Sequence, residues 1–166
     1  MNSMSGFEIM APVGSRDSLM AALQAGADSI YFGIERLNMR AGSASAFTIG
    51  DLREIADLCR EKGVKSYLTV NTIIYDEDME LMHHIIDAAR EAGISAVIAS
   101  DVAVMQYCRT PSGSSRPGGV EVHLSTQLNI SNVEALRFYA QFADVVVLAR
   151  ELKMEQVAAI HRAIVE

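Results

Sequence analysis

Glu121–Asn132 reads EVHLSTQLNISN and changes character half-way. Glu121-Val122-His123-Leu124 alternates polar and apolar residues, the period of a half-buried strand. Ser125, Thr126, Gln127, Asn129, Ser131 and Asn132 then follow in close succession. A helix pattern begins at Val133, and Ser131 with Glu134 has the S-x-x-E spacing of a capping box. A strand that ends in small polar side chains and feeds a helix is where α/β proteins tend to carry chemistry. That end of the sheet is the candidate functional rim.

The same strand-then-helix unit recurs along the chain. Phe7–Ala11, Asp28–Gly33, Val64–Asn71, Ile94–Ser100, Glu121–Ser125 and Asp144–Ala149 read as strands. Helices are expected over 16–24, 48–62, 76–92, 101–109, 133–142 and 154–165, with Ser15, Thr48, Asp76 and Asp101 as caps. Gln24-Ala-Gly-Ala-Asp-Ser-Ile30, Glu91-Ala-Gly-Ile-Ser-Ala-Val97 and Gln141-Phe-Ala-Asp-Val-Val146 form a faint repeat from helix end into strand. Strict alternation predicts a parallel sheet with right-handed crossovers, and the apolar strands suit burial on both faces. About six units are present where a closed barrel of this type has eight. The expected fold is α/β: an incomplete (β/α) TIM-barrel-like domain over residues 1–166. A doubly wound sheet is the alternative, but no G-x-G-x-x-G turn follows the first strand. Exposed edges on the first and sixth strands invite self-association.

Half the residues are hydrophobic, which fits a globular core. The net charge of −7 argues against a basic face that grips a phosphate backbone. The start MNSMSGFEIM is too short and polar for a signal peptide, and no run reaches the roughly 18 apolar residues of a membrane span. A cytoplasmic protein without a membrane partner is therefore expected. Cys59 and Cys108 are far apart and lack ligand spacing, so they read as buried free thiols.

Strand alternation puts Val122 and Leu124 on the outer, helix-covered face and His123 inward, with Tyr67, Thr69, Asn71, Glu8 and Met10. An inward His123 near Glu8 would make a proton-transfer pair, because a carboxylate fixes the imidazole tautomer. A hydrogen-bonded interior histidine is the plainer alternative. Arg40 and Arg150 follow the second and sixth strands and are suited to holding a carboxylate or phosphate. Arg150 has an ion pair with Glu151 as its plainer reading. Asn71, Gln127 and Asn129 suit substrate orientation, with backbone capping as the plainer reading; Ser125, two residues from His123 on the same strand face, does not in itself make a catalytic arrangement. Asp101 reads as a helix cap. His83 is expected on the solvent side of its helix, and with His84 makes a poor metal pair. No metal site and no nucleophile–base pair for proteolysis is legible.

Five strand-end motifs occur in order: Glu8-Ile-Met-Ala-Pro-Val-Gly-Ser15; Asn38-Met-Arg-Ala-Gly42 with Phe47-Thr48; Val70-Asn-Thr72; His123-Leu-Ser-Thr-Gln127 with Asn129; and Leu148-Ala-Arg-Glu-Leu152. Together they resemble peptidase family U32, the collagenase-like proteases. The resemblance implies a barrel-like α/β domain, the N-terminal portion of a longer architecture, with a peptide substrate. On the residue reading above, His123, Glu8 and Arg150 are the catalytic candidates, and Arg40, Asn71, Ser125, Gln127 and Asn129 the candidate substrate contacts. Relatives in the family also imply a second activity, oxygen-independent hydroxylation of transfer RNA, ribosomal RNA or ubiquinone. That activity would use an iron–sulfur cluster, whose cysteines Cys59 and Cys108 do not match. A non-enzymatic barrel module is the third expectation.

Overall fold

The computed structural model describes residues 7–34, 37–38, 47–109 and 120–165. Its strands are β1 (Met10–Pro12), β2 (Ser29–Gly33), β3 (Lys65–Val70), β4 (Ala96–Ala99), β5 (Glu121–Leu124) and β6 (Val145–Val146). The helices are α1 (Arg16–Ala25), α2 (Leu52–Lys62), α3 (Met79–Ala92), α4 (Val102–Arg109), α5 (Val133–Tyr139) and α6 (Met154–Val165). All strand pairs are parallel, and the sheet order is β1-β2-β3-β4-β5-β6. A doubly wound sheet reverses its strand order at a switch point; this one never does. The six strands curl into an open half-barrel.

One face of the sheet carries Ile30, Phe32, Leu68, Val70, Val97, Ala99, Val122 and Leu124, each at most 2% exposed. These belong to the core shared with Leu19 of α1, Ile55 of α2, Ile85 of α3 and Met105 of α4. Truncating one such side chain to alanine typically costs about 2–5 kcal/mol. The opposite face lines the barrel interior.

The repeat has a structural cause. Gly26 and Gly93 both take the left-handed conformation (φ 80° and 81°). The next residues, Ala27 and Ile94, then donate their N–H groups back to Ala22 and Ala89. The third copy has no glycine, and α5 stops at Tyr139 rather than Phe142, with Ala140 still right-handed. β6 is also shorter than expected. Beyond Val146, among the described residues, the chain keeps a single bridge between Leu148 and Ile130.

Helix starts differ in detail as well. The residue that caps α5 is Asn132, not Ser131: its Oδ1 accepts the Ala135 N–H at 2.9 Å. Asn132 has the extended backbone (φ −152°) that aims a short side chain at the third N–H. A tight turn at Asp76–Asp78 precedes α3, with Tyr75 rather than Asp76 in the cap position. Asp101 does cap, accepting from Ala103 N and from Ile74 N. His83 is not on a free solvent face; its ring stacks on Tyr107 of α4, 4.0 Å between centroids.

Phe7, Ile9 and Met10 by the β1 edge, and Val145 and Val147 by the β6 edge, are exposed. An apolar groove of about 530 Å³ runs between α5, β6 and α6. It lies beside the open sixth strand. Among the described residues no helix is long and apolar enough to cross a membrane.

Candidate functional site

At the end of β5 the polar run folds on itself. Ser125 caps a single tight turn, Thr126–Leu128, and its hydroxyl donates to Gln127 Oε1 at 2.9 Å. Ser125 is buried, whereas Gln127 and Asn129 are exposed. Asn129 closes the turn in the left-handed conformation (φ 50°), and its N–H donates to Thr126 O. Asparagine tolerates this region better than most residues. Ser125 thus caps the turn with its side chain, accepting from Gln127 N, whereas Asn129 takes part through its backbone alone. The side-chain NH₂ of Gln127 and the side-chain amide of Asn129 nonetheless make no hydrogen bond to a described residue.

Asn71 follows β3 directly and is half-buried. Asn38 is a rim residue that strand periodicity did not single out. It is 5% exposed, and its Nδ2 donates to Ile34 O at 2.9 Å. It lies over Gly33, at the end of β2, so closely that a Cβ there would sit 2.3 Å from Asn38 Cγ. The clue in sequence was a glycine closing an apolar strand. Arg150 is exposed and forms no ion pair with Glu151 among the described residues. Arg40 lies outside the described residues.

His123 faces the barrel interior, as alternation predicts, and is 6% exposed. Its Nε2 is 3.3 Å from Glu121 Oε2, two residues back on the same strand face. Its ring packs on that of Tyr67, 4.7 Å between centroids and tilted by 59°. The expected direct pairing with Glu8 does not form. Strand register explains this. Met10 is level with Ser29 and Lys65, whereas His123 is level with Ile98 and Thr69. Glu8, before Met10, therefore stands well below His123, near the N-terminal ends of the strands. There Glu8 accepts from the Tyr67 hydroxyl at 2.7 Å and from Lys65 Nζ at 2.9 Å.

Burial alone would raise the Glu8 pKa, but the groups around it win. The Ser29 hydroxyl, fully buried beside it without complete hydrogen-bond geometry, Tyr67 and Lys65 pull it from 4.5 to about 2. Burial first, and the Glu8 carboxylate second, push the Tyr67 phenol up. Glu8 is a fixed anion at neutral pH and a poor proton acceptor.

Cys59 in α2 and Cys108 in α4 are free, buried in the helix-covered core, and pushed up to about 11 chiefly by burial. Neither suits a cluster ligand, which must be a thiolate. No group of three or more metal-ligating side chains occurs among the described residues.

Ser125 and His123 are each bonded elsewhere, so a nucleophile–base couple is not assembled between them. Among the described residues the rim offers hydrogen-bonding surface: the side-chain NH₂ of Gln127, whose oxygen is held by Ser125, and the neighbouring amide of Asn129.

The family model described as "Peptidase family U32" matches residues 14–166. Over 163 residues the chain is 68% identical to a protein named Collagenase from Porphyromonas gingivalis, covering 98% of this chain and 38% of that one. It is 33% identical over 145 residues to tRNA hydroxylation protein P1 of Bacillus subtilis, covering 87% of this chain and 33% of that one. The chain thus spans little more than a third of these curated relatives. Among solved structures, the U32 peptidase Mk0906 superposes with a TM-score of 0.70 at 16% identity, covering 98% of this chain and 67% of that one. A polar rim at the strand ends of an open (β/α) half-barrel, and a family match over nearly the whole length, lead to one conclusion: the chain belongs to peptidase family U32.

Proposed function

We propose that this rim holds a nucleobase of an RNA substrate, and that the protein takes part in oxygen-independent hydroxylation of that base. One observation carries the reading. Among the described residues the Gln127 side-chain NH₂ and the whole Asn129 side-chain amide lack partners on one turn, while Ser125 and His123 are bonded away from each other. Neutral amides match the donor–acceptor edge of a base, as in the pairing of Asn or Gln with adenine. The acidic net charge supports a role in contacting the base rather than in gripping the phosphate backbone. A relative named for tRNA hydroxylation supports the same reading. An iron–sulfur cluster would come from residues outside this chain, and the part played here is binding and orientation.

A second reading, peptide hydrolysis, is favoured by the 68% identity to a protein named Collagenase. Amides also bind peptide groups, but hydrolysis needs an activated nucleophile that Ser125 and His123 do not make.

Mass spectrometry of nucleosides from tRNA and rRNA, in cells with and without the gene, separates the two. Loss of one hydroxylated nucleoside is the expected result. An unchanged profile, with cleavage of gelatin by the purified full-length protein, would establish the second reading instead.

A further inference from the structure

The barrel interior contains a line of contacts that the rim does not use. Lys65 Nζ donates to Glu8, the Tyr67 hydroxyl donates to the other oxygen of Glu8, and the Tyr67 ring packs on His123. Glu8 precedes β1, Tyr67 is on β3 and His123 on β5, so the line crosses most of the sheet. We propose that Tyr67 is a positioning residue: Glu8 pins its hydroxyl, and its ring fixes the His123 imidazole with Nε2 turned towards Glu121.

Three features support this. Tyr67 is 2% exposed, and a phenylalanine would fill the same volume without a buried hydroxyl to satisfy. The hydroxyl therefore has a use, and its partner is Glu8. Next, the tilt of 59° at 4.7 Å is within the range in which aromatic rings hold a preferred geometry. Finally, Glu121 is a weak restraint on its own. Its side chain is 53% exposed and its contact with Nε2 is long, at 3.3 Å. The imidazole needs a second constraint, and the Tyr67 ring is in contact with it.

The inference deepens the rim reading and rests on it for its consequence, since a fixed imidazole matters to chemistry only if substrate reaches it. Its test contains no substrate, so the two fail separately. The full-length protein is labelled with ¹⁵N-histidine, and the His123 ring signals are assigned by their loss in His123→Asn. The unsubstituted protein should give two well-separated ring nitrogens, those of one fixed tautomer. In Tyr67→Phe the ring is kept and only its anchor is lost. The His123 nitrogens should then move towards each other as the tautomers average. Glu8→Ala, at a residue outside the core, removes the same anchor from the other side and should give the same shift. Tyr67→Phe or Glu8→Ala protein that remains folded with unchanged His123 signals would reduce Tyr67 to a space-filler and overturn the proposal.

Discussion

Ser125 donates its hydroxyl hydrogen to Gln127 Oε1 at 2.9 Å, a bond that fits the proposed role of holding the rim better than that of a nucleophile. Ser125→Ala should cost about 1 kcal/mol of substrate binding, a factor of about five. Loss of a catalytic nucleophile would cost roughly 10⁴-fold or more. Steady-state assay of the substituted protein decides between them. A fluorophosphonate probe should leave Ser125 unlabelled, as read by peptide mass spectrometry.

Glu8 ties stability to acid pH. Its pKa is depressed in the folded state, about 2 against an ordinary value of 4.5. The folded state therefore holds this proton less tightly than the unfolded state. The resulting stability is fully present above pH 4.5 and is lost as pH falls through 4.5 towards 2. Screening of a carboxylate whose side chain is 33% exposed leaves about 1–2 kcal/mol. Glu8→Gln should lower the melting temperature at pH 7, and the difference should shrink towards zero near pH 2. A difference that stays constant over that range would remove Glu8 from the acid response.

Gly33 has no room for a methyl group, because Asn38 occupies it. Gly33→Ala should destabilise by about 1–3 kcal/mol in urea unfolding. The clash is with a side chain, so Gly33→Ala combined with Asn38→Ala should recover part of the loss. A double substitution as unstable as the sum of the singles would place the strain in the backbone instead.

Self-association is a proposal that the open edges support. Ile9 is 57% and Val147 37% exposed, beside unpaired strand edges. The 166-residue polypeptide should form dimers or larger species that grow with concentration in sedimentation velocity. Ile9→Lys with Val147→Lys should shift them towards monomer. A monomer at every concentration would contradict this.

The sequence was more informative about architecture than about contacts. Alternation from Phe7 to Val165 was enough for a parallel sheet, and a strand order without reversal agrees with the barrel reading. Inward His123 and outward Val122 and Leu124 also followed from the period of two. Register did not, because alternation assigns a face but not a level. Glu8 and His123 share the interior face, yet Tyr67 lies between their levels and takes up Glu8. Local competition hid other details. Ser131 and Asn132 both have capping chemistry, and only the backbone angle selects Asn132. The placing of Asn38 did not follow from periodicity, because it packs over Gly33 and bonds a backbone carbonyl, with the strand-closing glycine as the one sequence clue.

In the proposed function the Gln127 side-chain NH₂ and the Asn129 side-chain amide hold the substrate. The most direct measurement is complementation of gene-deleted cells by full-length protein carrying Gln127→Ala and Asn129→Ala, read as the amount of the missing hydroxylated nucleoside. Both residues are exposed, so the fold should survive, with about 1 kcal/mol of stability lost because alanine tolerates the left-handed backbone of Asn129 less well. The prediction is a drop of about tenfold or more in that nucleoside, since two lost hydrogen bonds at about 1 kcal/mol each multiply. Full restoration by the doubly substituted protein would contradict the account.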